Sequence, residues 1–198
     1  MINGLMNKMT SSNYYGRNFV LYGDTKGGDL TIYTAGFDDN MYYFAHRVEG
    51  GSQIGFWIRG YDCLLQANNI IQGIETLKEE GTTGLDDMLG QALTLRALIH
   101  FDLVRLYGKP YNMDGGASHG IPVVTAPVDA SAKPQRDPVK KVYDQIVADL
   151  TKAAPLISKS KSNGYVNYYA NQAILGKVYM YMDNFSSALT CFKNIIDS

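Results

Sequence analysis

Aromatic rings and polar groups that could bind a sugar are concentrated between residues 14 and 52. The chain contains 15 tyrosines, against 7 phenylalanines and 1 tryptophan. A tyrosine ring can stack on the C–H face of a sugar, while amide, carboxylate and guanidinium groups bind the sugar hydroxyls. For any single tyrosine, the competing interpretation is a ring folded onto its own scaffold. We predict a ligand-binding site in this segment, formed by Tyr22, Tyr33, Asn40, Tyr42, Tyr43 and Arg47.

The sequence lacks several motifs of common catalytic and metal centres. It has no phosphate-binding Gly-x-x-x-x-Gly-Lys loop, no His-Glu-x-x-His and no Cys-x-x-Cys pair. The acidic pairs Asp38–Asp39 and Asp86–Asp87 would serve a glycosidase only if two carboxylates met in one cleft. Asp86–Asp87 fit the start of a helix better, because acidic groups there complement the helix dipole. We predict a non-catalytic protein without a cofactor or a metal.

The charge of the chain is balanced, with 18 basic and 19 acidic residues and a net charge of −1. This balance excludes the basic surface that a nucleic-acid-binding protein needs. No run of apolar residues is long enough to span a membrane, and no secretory signal is visible. We interpret the chain as the N-terminal part of a longer protein, and we expect Cys63 and Cys191 to be buried free thiols.

Hydrophobic periodicity predicts an all-α fold of six helices, at about 2–13, 53–78, 84–107, 138–157, 168–182 and 185–197. The helix over 84–107 has apolar stripes on two faces, which predicts neighbours on two sides, as in a stack of helical hairpins. Thr83 and Asp86 could form a capping box at its start. Gly108, followed by Pro110, should end it.

The last two predicted helices match the spacing of a tetratricopeptide repeat at Leu175, Gly176, Tyr179, Ala188 and Phe192. Pairing the six helices as consecutive hairpins leaves two long insertions, about 14–52 and 109–137. Within-pair loops of a solenoid emerge at the same end, and long loops in a compact domain are usually functional. We predict one domain over 1–198, an α-α superhelix of tetratricopeptide-like hairpins whose insertions form the working surface.

Polar residues inside the predicted helices are expected to make structural hydrogen bonds. Asn68 falls on an apolar stripe, which predicts a buried side-chain bond to a neighbouring helix or loop. Arg96 lies between two apolar faces and should reach a carboxylate or loop carbonyls, bracing an insertion. His100 is expected to make a structural hydrogen bond, and Asp137 is the predicted N-cap of the helix over 138–157.

Four segments resemble the SusD/RagB family, in the order in which that family has them. The string Leu-Arg-Ala-Leu-Ile-His-Phe-Asp-Leu-Val-Arg-Leu-Tyr-Gly-Lys-Pro over 95–110 is similar to the signature helix of the family. The other three segments are 57–71, 120–125 and 136–150. The resemblance covers roughly residues 50–198, with a weaker match before them, and it offers no matched motif that assigns individual sugar contacts. The residues of this chain that match the structural signature of the family are Trp57, Asn68, Arg96, Gly108 and Pro110.

SusD/RagB proteins are surface lipoproteins of Gram-negative glycan users that capture nutrients for a TonB-dependent transporter. The resemblance therefore implies a SusD-like helical fold and binding of an oligosaccharide or another nutrient without catalysis. It also implies a SusC-like transporter as partner and a place at the cell outer membrane, through a lipid anchor that is not visible in the sequence. The alternative is a tetratricopeptide-type adaptor that binds a peptide or protein partner. Such an adaptor keeps its within-pair turns short.

Overall fold

The computed structural model describes residues 1–29, 55–129, 131–161 and 164–198, and it is all-α within these ranges. A 3-10 turn covers Tyr111–Met113, and His119 forms an isolated antiparallel bridge with Pro138. In this described part, no helix is long and apolar enough to cross a membrane. The α-helices are α1 (Ile2–Met9), α2 (Asn18–Gly27), α3 (Phe56–Glu79), α4 (Asp86–Tyr107), α5 (Val139–Ala153), α6 (Tyr168–Tyr181) and α7 (Phe185–Ile196).

The described residues form two compact units, one of Met1 with Asn3–Cys63 and another of Ile2 with Leu64–Ser198. The first unit contains α2, most of α1 and the first turns of α3. The second unit contains the rest of α3 and helices α4 to α7. The predicted organisation of the whole chain as one domain stays a prediction. The predicted meeting of the two insertions at one end also stays a prediction, because 30–54 lies outside the described residues.

Helix α4 is the centre of the second unit. Its residues from Leu89 to Val104 are buried, apart from the half-buried Leu98. It packs against both α5 and α6, so the two apolar faces predicted for this helix are confirmed. A Cβ atom on Gly90 would lie only 2.8 Å from the Cβ atom of Ile157, so a glycine at this position allows the close approach.

Helices α6 and α7 form the predicted hairpin. A Cβ atom on Gly176 would lie 2.6 Å from Cε1 of Phe192, so the small residue at this position lets the two helices meet. The turn between them uses Asp183 in the left-handed region, with a φ of 57°. Asn184 then caps α7, because its side chain accepts a hydrogen bond from the N–H of Ser187 at 3.2 Å.

The hydrophobic pattern does not predict helix α2, which lies inside the segment 14–52. Its apolar residues Phe19, Val20 and Leu21 are consecutive rather than three and four positions apart, so they form no stripe. Val20 is 56% exposed as a result. The helix ends at Gly28, whose φ of 86° lies in the left-handed region that glycine favours.

Two helices are shorter than predicted. Helix α1 ends at Met9 rather than at residue 13, because the chain turns there, with the N–H of Tyr14 donating to the carbonyl of Ser11 at 2.9 Å. Helix α5 ends at Ala153 rather than at residue 157. Pro155 follows two residues later and has no N–H to continue the helical ladder.

The predicted capping box at the start of α4 is wrong. The N-cap residue is Leu85, and no side chain caps the helix. The carboxylate of Asp86 instead pairs with Lys78 at 2.6 Å. Acidic groups in the first turn still complement the helix dipole, so this part of the interpretation of Asp86 and Asp87 agrees with the structure.

The prediction of Asp137 as the N-cap of α5 is also wrong, because its carboxylate binds two other groups. It accepts a hydrogen bond from the N–H of Val123 at 2.8 Å and pairs with Lys141 at 2.7 Å. Pro138 occupies the N-cap position without a side-chain bond. Asp137 therefore ties the end of the 109–137 insertion to its middle.

Candidate functional site

Tyr22 is the one predicted ligand-binding residue that the described part of the chain contains. It lies on α2, and its ring meets that of Phe56 edge to face, with 5.8 Å between the ring centroids. Burial raises the pKa of the Tyr22 phenol above its ordinary value. The ring is therefore packed against its own scaffold, and its contact with a ligand stays a prediction. The remaining predicted residues lie outside the described residues: Tyr33, Asn40, Tyr42, Tyr43 and Arg47.

Tyr22 belongs to a cluster of rings in the first unit, which consists of Tyr14, Tyr15, Phe19, Tyr22 and Phe56. The rings of Phe19 and Phe56 lie 6.0 Å apart at 79°, an edge-to-face arrangement that aromatic pairs favour. Tyr14 and Phe56 are buried, whereas the other three rings are half-buried. The prediction from the sequence included neither phenylalanine. Phe19 stands on no helical stripe, whereas Phe56 begins the buried stripe of α3 that continues through Cys63 and Ala67.

Trp57 does not lie on the inner face of α3. Phe56 is 2% exposed and takes the inner position, whereas Trp57 is half-buried. The indole ring lies 4.9 Å from the ring of Tyr61, one helical turn later. The two rings together form a partly exposed aromatic surface on α3.

Arg96 is the centre of a buried polar network in the second unit. Its Nε and Nη2 atoms donate to the two carboxylate oxygens of Asp149 at 2.8 and 2.6 Å. Its Nη1 atom donates to Oδ1 of Asn68 at 3.1 Å and to the carbonyl of Thr125 at 2.9 Å. One guanidinium thus joins helices α3, α4 and α5 and the insertion that follows α4. The predicted bond of Arg96 to a carboxylate and a loop carbonyl is confirmed.

Asn68 and His100 hold the same stretch of the insertion. The side-chain amide of Asn68 donates to the carbonyls of Val124 at 3.0 Å and Ala126 at 3.2 Å, which confirms the bond predicted from its position. Nε2 of His100 lies 3.3 Å from the N–H of Val124, and Nδ1 lies 3.1 Å from the carbonyl of Arg96. The backbone around Val124 is therefore fixed by side chains from two helices.

The imidazole of His100 is neutral in this arrangement. Its Nε2 accepts from a backbone N–H, so the ring proton must sit on Nδ1, where it donates to the carbonyl of Arg96. Burial and, to a lesser extent, the charge of Arg96 lower the pKa of His100 from 6.5 to about 3. His100 is therefore a structural residue rather than a proton carrier near neutral pH.

The ends of the insertion are also fixed. The guanidinium of Arg136 donates to the carbonyl of Tyr107 at 3.0 Å and to that of Gly120 at 2.8 Å. Gly108 ends α4 as predicted, but in an extended conformation, with a φ of −108°. A glycine is needed at position 108 for lack of space, because a Cβ atom there would lie 2.8 Å from the carbonyl oxygen of Val104. Pro110 follows and starts the 3-10 turn.

From the sequence we expect no Gly-x-Ser-x-Gly nucleophile elbow, yet Gly116, Ser118 and Gly120 have its spacing. A nucleophile elbow requires a sharp turn between a strand and a helix. Ser118 lies instead in a loop, and its hydroxyl donates to the carboxylate of Asp114. The same carboxylate accepts from the N–H of Gly116 at 3.0 Å, so this segment is a turn closed by an aspartate.

Rings from three helices lie around Arg105 in the second unit. Its guanidinium pairs with the buried Asp102 at 2.6 Å and lies 4.5 Å from the ring centre of Phe101. The ring of Tyr181 lies 5.3 Å from that of Phe101 and is 42% exposed at the residue level. Tyr143 completes the group, and burial raises the pKa of its phenol. Sequence patterns missed Asp102, whose signal is an arginine three positions later on the same helix.

The described residues contain no group of three or more His, Cys, Asp or Glu side chains that could hold a metal ion. The second unit contains the 109–137 insertion, whose backbone is fixed by side chains of α3 and α4, and partly exposed aromatic rings. A fixed loop beside exposed rings is suited to binding a ligand.

Comparison with known proteins identifies the family. The model of a SusD-like family, described as starch-binding and associating with the outer membrane, matches residues 3–180. Because this match covers most of the chain, the protein belongs to the SusD-like family. The tetratricopeptide-like helical fold predicted from the sequence is confirmed by the solved structures of that superfamily.

A SusD superfamily protein from Bacteroides vulgatus is 33% identical to this chain, with a TM-score of 0.87 over 99% of this chain and 45% of its own. A curated SusD-like protein from Formosa agariphila is 25% identical over 146 residues, which are 72% of this chain and 26% of that protein. A laminarin-binding SusD-like protein shares the fold, with 22% identity and a TM-score of 0.61 over 71% of this chain and 29% of its own. The chain therefore spans less than half the length of these relatives.

Proposed function

We propose that this chain is part of a surface-exposed outer-membrane lipoprotein that binds an oligosaccharide and delivers it, unaltered, to a SusC-like TonB-dependent transporter. The observation that carries the proposal is the family match over residues 3–180, in a family described as starch-binding. A relative of the same fold is named for laminarin binding. Both names point to a glucan or a similar neutral glycan as the ligand class.

The chemistry of the first unit supports a binding role. Its ring cluster leaves Tyr15, Phe19 and Tyr22 half-buried, so part of each ring can be reached from solvent. These rings precede the segment that holds the predicted ligand residues Asn40, Tyr42, Tyr43 and Arg47. Sugar binding needs flat apolar faces beside hydrogen-bonding groups, and this stretch of the sequence supplies both.

The described groups give little support to a catalytic role. Glycoside hydrolysis needs two carboxylates on either side of one bond, separated by roughly 5 to 10 Å. Asp149 pairs with Arg96, Asp102 with Arg105, and the carboxylate of Asp137 accepts backbone and lysine donors. These buried or tethered carboxylates have structural partners and are not poised for proton transfer.

Titration calorimetry on the 198-residue protein tests the proposal, with maltooligosaccharides, laminarioligosaccharides and xylooligosaccharides as probes. We expect saturable binding of one class and no release of new reducing ends. Replacing Tyr42→Ala together with Tyr43→Ala should weaken binding by about tenfold or more, because two stacking faces are lost. Phe185→Ala is the matched control, since this ring is 61% exposed on α7 in the second unit. A folded sample that binds none of the three classes, or that cleaves one of them, contradicts the proposal.

The transporter partner requires a test in the native membrane. Cross-linking of intact cells, followed by mass spectrometry of peptides from this protein, should recover links to a TonB-dependent transporter. Repeated recovery of links without any such transporter would rule out this part of the proposal. The oligosaccharide-binding part would stand or fall separately on the calorimetry.

A further inference from the structure

A groove lies beside the first turns of α4 in the second unit. Its volume is about 270 Å³. The groove contains none of the residues of the predicted ligand site. Its walls come from the start of α4 and from the segment leading into α6, with Asp87, Gln91, Ser158, Ser160, Tyr165 and Asn167.

Gln91 is the unusual residue of this groove. It is 9% exposed, and its side-chain Nε2 atom donates to Oδ2 of Asp87 at 2.8 Å. Its Oε1 atom is buried and accepts no hydrogen bond in the part of the chain that the structure describes. A buried acceptor without a donor is costly, so a bound molecule that donated a hydrogen bond to this oxygen would remove that cost.

The neighbouring polar groups already have partners. Oδ1 of Asp87 accepts from the N–H of Ser158 at 2.6 Å, so each of its carboxylate oxygens accepts an N–H donor. Asn167 caps α6 through its Oδ1 atom, at 3.0 Å from the N–H of Ala170, and its Nδ2 atom donates to the carbonyl of Ser160 at 3.1 Å. The group that the groove lacks is therefore a hydrogen-bond donor to Oε1 of Gln91, such as a hydroxyl.

Size and shape limit the ligand. The groove of about 270 Å³ is much larger than the roughly 30 Å³ that one water occupies in the liquid, so it has room for a ligand larger than a single water. Tyr165 is 48% exposed and supplies an aromatic face at the wall. An aromatic face beside hydroxyl-binding groups suits a ring with a C–H face and several hydroxyls.

We propose that this groove binds a single neutral sugar ring, with one hydroxyl donating to Oε1 of Gln91 and the C–H face of the ring lying on Tyr165. This site is separate from the ligand site predicted in 14–52. It does not depend on the function proposed for that site.

Nuclear magnetic resonance of the isotope-labelled 198-residue protein tests the groove, with D-glucose and D-galactose as probes. Glycerol tests hydroxyls without a ring, and butylammonium chloride tests a cation. We expect one sugar to shift the side-chain amide of Gln91 and the backbone amides of Ser158 and Asn167 in a saturable manner. Shifts produced equally by glycerol, or only by butylammonium, would overturn the assignment to a sugar ring. No saturable shift with either sugar would overturn the site.

Two variants and one control complete the experiment. Gln91→Met keeps the length of the side chain and removes the acceptor, so sugar affinity should fall about tenfold. Tyr165→Ala should weaken binding to a similar extent without disturbing the fold, because this side chain is half exposed. Gln145→Met is matched, since Gln145 also donates to an aspartate four positions away, Asp149, at 2.9 Å, but lies outside the groove. Unchanged affinity in both groove variants would overturn the proposal. The Tyr42 and Tyr43 substitutions should leave these shifts intact, which separates the two sites.

Discussion

The guanidinium of Arg96 and the carboxylate of Asp149 form two parallel hydrogen bonds, of 2.8 and 2.6 Å, between helices α4 and α5. Their side chains are 7% and 3% exposed, so both charges are removed from water. Burying two charges costs much of what their attraction returns. The intact pair therefore adds little net stability, but removing one partner should be strongly destabilising, because the other charge stays buried.

Replacing Arg96→Met should lower the free energy of unfolding by about 3–5 kcal/mol, because the Asp149 carboxylate is left buried without its partner. Urea denaturation of the variant and the parent protein measures this loss. The double variant with Asp149→Leu should recover part of it, since no unpaired charge remains. Lys152→Ala is the control: its 3.1 Å pair with Glu75 is largely exposed, so its loss should stay within about 1 kcal/mol. Equal losses in Arg96→Met and Lys152→Ala would contradict the role assigned to the buried pair.

The neutral imidazole of His100 should make stability depend on pH. Its pKa in the folded protein is about 3, against an ordinary value of 6.5, so the unfolded chain takes up a proton first as the pH falls. The His100 contribution is constant above about pH 6.5, and stability is lost as the pH falls from there towards about pH 3. Between about pH 6.5 and 5, this single group should remove on the order of 2 kcal/mol. Denaturant titrations at several pH values measure the slope.

The substitution His100→Gln should flatten that slope, because glutamine does not titrate. Its stability near neutral pH will be lower, since the hydrogen bonds to Val124 and to the carbonyl of Arg96 are changed. The comparison therefore uses the change with pH and not the absolute value. His119→Gln, at an exposed histidine, is the control and should keep the parent slope. An unchanged slope in His100→Gln would show that other groups cause the acid sensitivity.

Alanine should have opposite effects on stability at Gly176, which contacts Phe192, and at Gly73, which has open space around it. Gly176→Ala should destabilise by about 1–3 kcal/mol, because a Cβ atom would lie 2.6 Å from the ring of Phe192. Gly73→Ala on α3 meets nothing within 4 Å and should stabilise by about 0.5–1 kcal/mol, since alanine favours the helix. Thermal unfolding followed by circular dichroism distinguishes the two. Adding Phe192→Leu to Gly176→Ala should restore part of the loss, and a tolerated Gly176→Ala would mean that the hairpin relaxes easily.

The two cysteines should react slowly in the folded protein. Both are free and buried, as the sequence predicted. Burial raises the pKa of Cys63 to about 11, and burial also raises that of Cys191. At about pH 8 the thiolate fraction of Cys63 is then roughly one in a thousand, and the thiolate is the reactive form. Mass spectrometry after iodoacetamide treatment should show little modification without urea and complete modification with it. Rapid modification of the native protein, or a Cys63–Cys191 disulfide, would contradict this.

The helices of the second unit could be predicted because their cores follow from spacing. The two apolar stripes of α4 and the small Gly176 opposite Phe192 are local patterns with a direct packing meaning. Helix α2 could not be predicted in this way. Its apolar residues are consecutive, and its packing partner Phe56 lies far along the chain.

Polar partners could be predicted in kind but not by name. The position of Arg96 on a buried helix indicated a carboxylate or carbonyl partner, but nothing local selects Asp149, 53 residues away. For Asp137 the local sequence gave the wrong prediction. It fits an N-cap, but the carboxylate accepts hydrogen bonds from the N–H of Val123 and from Lys141 instead. The Gln91 groove left no signal in the sequence, since its two walls meet only in the folded chain.

The Arg96 network also sets a limit on how the second unit can be shortened or synthesised. A nascent chain that has released α4 holds a guanidinium whose carboxylate emerges 53 residues later. The carbonyl of Thr125, 29 residues on, arrives earlier but carries no full charge. Any fragment that stops before Asp149 would therefore keep Arg96 hydrated and α4 only partly docked. The shortest piece of this unit that can settle into its native packing must reach α5, however well α4 forms a helix alone.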